Sequence, residues 1–279
     1  MSNIVEVKNL SKIYKNNVGI KNISFELKQN TVLGIIGLNG AGKSTLISVL
    51  TGFCSYTGDL VYNFSGNYND YIGVVHSEYG YPGHFNAMIV ERIMKLCYTN
   101  WDSNRFFEIL DILELEKKLS SKKYSTGMNT KLAIAIAMSH NAKLLVLDEA
   151  TRGLDIKATS RVRNLLHDYM NKPGNGIILT SHIVGEIEKM SDEIMFIEKG
   201  ELSFIKNKDD LLHENQIFNV TSIQLERIDK TDIKKIQKTD YNINLIAKDV
   251  SNFVSKYKIE PIITTLERVI EILLEGDEI

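Results

Sequence analysis

Apolar and polar positions alternate along residues 4–8 (IVEVK) and 22–28 (NISFELK), the period of a strand with one buried face. Three other runs lose the alternation. VLGIIG (32–37), LLVLDE (144–149) and GIILTSH (176–182) are apolar almost throughout, which suits strands buried on both faces. EIMFIEKGELSFI (193–205) reads as a hairpin with Gly200 in its turn. Helical patterns follow the buried strands at 43–51 and 157–171, so the core is expected to be α/β with a mainly parallel sheet. Residues 86–140 are mostly helical in pattern and are predicted to form a helical insertion. Within it, KKYSTGMNTKLAIAIAMSH (122–140) has Ser125 as an N-cap and places Leu132, Ala133, Ile136 and Ala137 on one buried helix face. Its Ser-x-Gly start is unusual for a plain core helix.

After about residue 215 the texture changes. IFNVTSIQL, YNINLIAKD and EPIITT are predicted as short strands, and DIKKIQK, DVSNFVSKY and TLERVIEILLEG as short helices. The predicted organisation is one large domain over 1–215, with its helical part at about 86–140, and a small α+β appendage over 216–279. No internal repeat is visible.

Bulk properties narrow the function. The chain has 279 residues, 43% of them apolar, and a formal net charge of −2, so no global basic field points to nucleic acid. Cys54 and Cys97 match no metal spacing and are expected as free thiols in a reducing compartment. The start MSNIVEVKNL lacks a basic segment followed by an apolar core, and no apolar run approaches the roughly 18–20 residues that span a bilayer. A cytoplasmic chain is expected, with any membrane role reached through another chain.

The strongest chemical signal is GLNGAGKST, comprising Gly37, Leu38, Asn39, Gly40, Ala41, Gly42, Lys43, Ser44 and Thr45. It fits G-x-x-x-x-G-K-[ST], follows a buried strand and opens a helical pattern, which is the context the motif requires. The glycines let backbone N–H groups face a phosphate, and the helix N-terminus adds partial positive charge. Lys43 can reach the β- and γ-phosphates, and the Ser44 hydroxyl can ligate Mg²⁺. Asp148 ends a buried apolar strand, where a carboxylate needs a partner such as Mg²⁺; Glu149 beside it can act as general base. His182 closes another buried strand, on the sheet edge where ligands gather.

In these residues the chain resembles the nucleotide-binding subunits of ATP-binding-cassette transporters, over about residues 3–215. The resemblance implies a P-loop NTPase core with an N-terminal antiparallel β subdomain and a helical subdomain. It makes Tyr14, in SKIYKN, the aromatic that stacks on adenine; Gly37–Thr45 the Walker A loop; Asp148 and Glu149 the Walker B pair; Asp155, in GLD, part of the D-loop; and His182 the switch histidine. YSTGM matches the signature motif, so Ser125 and Gly127 are expected to bind the γ-phosphate of ATP held by another subunit. With one set of motifs, the chain is expected to pair with a copy of itself or with a sister subunit.

Tyr124, Thr126 and Met128 depart from the usual signature, and Ala150 replaces the usual proline. No glutamine lies between Gln29 and Gln216, so either Ser77 or Glu78 stands in for the Q-loop residue, Glu78 being preferred. YTNWD (98–102) and the ending TTLERVIEILLEG resemble two-component bacterial exporters, some of which export peptides or antibiotics. The resemblance thus implies an ATP-hydrolysing subunit, using ATP and Mg²⁺, peripheral on the inner face of the membrane through a separate transmembrane permease. That permease is expected to meet residues Tyr79 to Arg92, where the aromatics of YPGHFNAM either form a docking groove or pack in the core. The alternative function is a soluble cassette ATPase, such as one serving iron–sulfur assembly.

Overall fold

The structure, a computed structural model, describes residues 2–15, 18–64, 68–76, 80–239 and 242–277. The chain divides into two compact units: Met1–His182 with Met190–Ile205, and Ile183–Lys189 with Lys206–Ile279.

In the first unit, β1 (Asn3–Ile13) and β2 (Gly19–Lys28) pair antiparallel. Their alternating apolar residues, among them Val5, Val7, Ile23 and Leu27, are fully buried. All five residues of β3 (Val32–Ile36) are buried, and α1 (Lys43–Leu50) follows the glycine-rich loop. β4 (Thr57–Tyr62) pairs with β1, giving the order β2-β1-β4.

The chain continues through β5 (Ile72–Val75), α2 (Ala87–Cys97), α3 (Ser103–Ile112), α4 (Thr126–Ala137), β6 (Leu144–Asp148), α5 (Ile156–Met170) and β7 (Gly176–Thr180). After α6 (Val184–Met190), most of which belongs to the second unit, come β8 (Glu193–Glu198) and β9 (Glu201–Asn207). Among the described residues the large sheet runs β5-β6-β7-β3-β8-β9, parallel from β5 through β8. The hairpin turns at Lys199 (φ 50°) and Gly200 (φ 84°), the positive φ pair of a two-residue turn.

One expectation fails in α4. Ile134 and Ala135 are buried together with Leu132, Ile136 and Ala137, while Ala133 is only half-buried. The helix packs on β5 and on α3, so two neighbours wrap it and a single buried face does not describe it.

The second unit adds α7 (Lys208–Glu214), β10 (Ile217–Val220), α8 (Ser222–Arg227), β11 (Ile233–Lys238), β12 (Ile243–Ala247), α9 (Val250–Tyr257) and α10 (Leu266–Glu275). Its antiparallel sheet runs β10-β12-β11. Adjacent residues bury on opposite faces: Phe218 and Leu245 pack with Phe253, whereas Ile217 and Ile246 pack with Val269 and Ile272. On the α6 side, the Leu266 N–H donates to Glu188 Oε2 at 3.1 Å, and Lys208 Nζ donates to the Glu188 carbonyl at 3.0 Å.

Three sequence expectations are corrected here. DIKKIQK is a strand, not a helix. A register shift between Ile233 and Lys235 inserts an extra residue, so Ile233 and Ile236 recur at helical spacing although both serve a sheet. EPIITT forms no strand: Ile262 N–H bonds Ile217 O at 2.9 Å, and Ile263 is 94% exposed. The second half of IFNVTSIQL is α8, started by a capping box of Thr221 and Gln224. Among the described residues no helix is long and apolar enough to cross a membrane, and Cys54 and Cys97 are free.

Candidate nucleotide site

The loop between β3 and α1 takes its shape from its glycines. Gly40 (φ 79°) and Gly42 (φ 107°) lie in the left-handed region. A Cβ on Gly42 would also meet Ile20 Cγ2 at 2.8 Å, whereas Gly40 faces open space. Ala41 is buried, and its carbonyl accepts the Gly200 N–H at 3.0 Å, which ties the loop to the β8–β9 turn. Leu38, Asn39 and Ser44 are exposed, and Thr45 is half-buried. The N-cap of α1 is Gly42, with no side-chain cap and no acidic residue in the first turn. That helix start is open to an anion.

Lys43 folds over this loop, Nζ donating to Gly37 O at 2.7 Å and Leu38 O at 3.1 Å. Burial pushes the Lys43 ammonium's pKa down, and the carboxylates of Asp148 and Glu149 oppose that shift. The pairing of β6 with β7 arranges those carboxylates. Asp148 stands opposite Thr180 in the parallel register, and the Thr180 hydroxyl donates to Asp148 Oδ1 at 2.7 Å. One residue on, the Glu149 N–H bonds the Thr180 carbonyl at 3.2 Å. Glu149 Oε1 lies 3.5 Å from His182 Nδ1, and Oε2 lies 3.7 Å from Arg152 Nη1. His76 Nδ1, at the end of β5, is 4.0 Å from Asp148 Oδ2.

Tyr14 follows β1 with its ring exposed. Partial burial raises its hydroxyl pKa, the nearby Cys54 side chain adds to the rise and the Thr45 side chain opposes it. An aromatic face thus stands beside the start of α1.

Ser125 caps α4, accepting the Met128 N–H at 3.2 Å. Gly127 is buried, and a Cβ there would collide with the Gly153 carbonyl oxygen. Gly153 (φ 74°) could carry no Cβ either, since one would lie 2.8 Å from Gly127 N. The Ser-x-Gly start therefore does serve a close backbone approach, and that approach is made within this chain. The Asp155 carboxylate caps α5 through Ala158 N–H at 2.7 Å.

The structure thus brings Lys43, Asp148, Glu149 and His182 together, seats Tyr14 against Thr45, and packs Gly127 on Gly153. Glu78 and Ser77 lie outside the described residues. Thr180, Arg152 and His76 escaped sequence reasoning. A signal existed for Thr180, because LLVLDE and GIILTSH align residue for residue as neighbouring buried strands. Arg152 sits one helical turn from Glu149, a spacing that carries no mark in a loop.

Comparison with known proteins gives the family. The sequence profile of the family described as ABC transporter matches residues 20–152. Bacitracin transport ATP-binding protein BcrA of Bacillus licheniformis is 32% identical over 216 residues, covering 72% of this chain and 69% of that protein. Lantibiotic transport ATP-binding protein SrtF of Streptococcus pyogenes is 30% identical, covering 77% of this chain and 96% of that protein. Among solved structures, a dimeric, post-hydrolysis ATP-binding cassette bound to ADP and Pi superposes with a TM-score of 0.64 at 22% identity, covering 73% of this chain and 98% of that one. A glycine-rich loop at a helix start, a buried strand-end aspartate and relatives this similar over most of their length make one assignment: the chain belongs to the ABC transporter family, as one of its ATP-binding, ATP-hydrolysing subunits.

Proposed function

We propose that the chain drives export of a peptide antibiotic or a related peptide, working with a separate transmembrane permease on the inner face of the membrane. The relatives named for bacitracin and lantibiotic transport support the cargo class, and favour export over a soluble cassette that serves iron–sulfur assembly. The observation that carries the ATPase reading is the convergence of Lys43, Asp148, Glu149 and His182 at one end of the parallel sheet.

In this reading the N–H groups of Gly40 to Thr45 and Lys43 bind the β- and γ-phosphates of ATP, and Tyr14 stacks on adenine. The Ser44 hydroxyl and the Asp148 carboxylate are hard oxygen donors that fit Mg²⁺ shared with phosphates. Among the described residues no three acidic, His or Cys side chains form a metal site by themselves. Mg²⁺ would neutralise charge on the phosphates. Glu149 accepts the proton of the attacking water, and His182 holds the Glu149 carboxylate toward it. Ser125 and Gly127 meet the γ-phosphate of the partner subunit's ATP, Asp155 belongs to the shared interface, and either Glu78 or Ser77 takes the Q-loop position. The permease docks around Tyr79 to Arg92, where Tyr81 joins Phe53 and Tyr98 in lining a cavity of about 310 Å³.

Glu149→Gln tests the reading. Loss of the base is expected to slow turnover by about 10²–10⁴-fold and to accumulate an ATP-bound dimer, seen by size-exclusion chromatography with light scattering. A mutant hydrolysing at the wild-type rate places the base elsewhere. Affinity purification of the trapped dimer from detergent-solubilised membranes of its host is expected to recover a multispan membrane protein. Recovery of soluble partners alone overturns the export reading.

A further inference from the structure

Glu149 leaves β6 at φ 52°, in the left-handed region that residues with a Cβ seldom occupy. The turn that follows brings Arg152 back onto it. The Arg152 N–H donates to the Glu149 carbonyl at 2.9 Å, and the guanidinium Nη1 lies 3.7 Å from Oε2, in ion-pair range, while His182 Nδ1 lies 3.5 Å from Oε1. The backbone of Arg152 is itself anchored. Its carbonyl accepts the Thr130 hydroxyl at 3.0 Å, and the same hydroxyl meets Thr126 O at 3.1 Å. Thr130 lies one turn into α4, the helix that Ser125 opens.

We propose that Arg152 is a positioning residue for the general base Glu149, and that Thr130 ties this positioning to the helix carrying Ser125 and Gly127. The inference rests on the role of Glu149 proposed above. A carboxylate acting as base must offer one oxygen to the water within hydrogen-bond reach. Arg152 holds the other oxygen. A guanidinium suits this task because it is planar and stays charged at every working pH.

A plain surface ion pair makes a different forecast. Arg152 is half exposed, and exposed pairs contribute little to stability. A positioning role therefore separates turnover from folding. The test is steady-state ATP hydrolysis and thermal melting of Arg152→Ala, Arg152→Lys and Thr130→Val, with Arg152→Ala also placed in the Glu149→Gln background.

The expected result for Arg152→Ala is a kcat lowered by about 10- to 100-fold, with the KM for ATP within a factor of about two. Its melting temperature should stay within about 2 °C of wild type. Arg152→Lys, which keeps the charge, recovers part of the loss. Thr130→Val shows a smaller loss in the same direction. In the Glu149→Gln background, Arg152→Ala lowers the residual rate no further. Wild-type kcat in Arg152→Ala overturns the proposal, as does an equal loss in both backgrounds or a loss confined to KM. A wild-type chain that binds ATP without turning it over overturns the hydrolytic reading as well, so the two failures are distinguishable.

Discussion

The Thr180 hydroxyl and the Asp148 carboxylate share a 2.7 Å hydrogen bond at a point where neither residue is more than 3% exposed. A carboxylate so placed depends on its donors. The same hydroxyl accepts the Glu149 N–H at 3.3 Å. Thr180→Val keeps the shape and removes both bonds. Urea unfolding without nucleotide is expected to show a loss of about 1.5–3 kcal/mol, the range for bonds to charged groups. Unchanged stability would mean that this bond contributes nothing net.

Lys43→Ala separates binding from folding. Burial already disfavours the ammonium, so its removal lifts a desolvation penalty in the empty protein and stability should change little. In the proposed site ATP would lose its main cationic partner, and affinity is expected to fall about 10- to 100-fold. Equilibrium titration with a fluorescent nucleotide measures it, and wild-type affinity would take Lys43 out of phosphate binding.

At the start of α4, substitutions can part the packing of Gly127 from the phosphate contact proposed for Ser125. Gly127→Ala drives a methyl group into the Gly153 carbonyl and should cost about 1–3 kcal/mol, as overpacking does. Ser125→Asp keeps a good N-cap, with its charge at a helix N-terminus. It should fold normally in urea titrations yet fail to form the ATP-trapped dimer in the Glu149→Gln background. A normal dimer in that variant would show that no phosphate approaches Ser125.

His140 gives the fold a pH dependence. The ring is fully buried between Ile136 O (3.1 Å from Nδ1) and Ile72 O (3.2 Å from Nε2), stacked on Tyr98 at 4.0 Å. Burial pushes its pKa below 6.5, outweighing the two carbonyls that favour the charged form. Below pH 6.5 the unfolded chain therefore takes up a proton that the folded chain resists. The contribution of His140 is complete above that pH and is lost as pH falls through the folded value. Melting curves from about pH 8 to about pH 5 should show wild type losing more stability in acid than His140→Gln. Parallel curves would mean the ring titrates alike in both states.

The cassette was readable because its motifs constrain the backbone: a buried strand, three glycines and a helix start leave little choice at Gly37–Thr45. Local pattern failed where tertiary structure reset the period. The bulge in β11 lent Ile233 and Ile236 a helical spacing, and wrapping by two neighbours buried Ile134 and Ala135 outside the expected face of α4. For the site, types of residue at fixed spacing pointed to Lys43, Asp148, Glu149 and His182. The partners that hold them are set by register and by turns: Thr180 arrives from a neighbouring strand and Arg152 from a loop. Gly127 looked like a ligand position, and its packing on Gly153 needed three-dimensional structure to be seen.

The hydrogen bond from Leu266 to Glu188 also has a bearing on synthesis. The two residues are 78 positions apart, and the ribosome adds roughly 5–20 residues each second, so Glu188 is made about 4 to 16 s before its partner. Ile183–Lys189 begins directly after His182 yet counts with the second unit. Until residues 206–266 are made, this short helix lacks the partners Lys208 and Leu266 that hold Glu188 in the second unit.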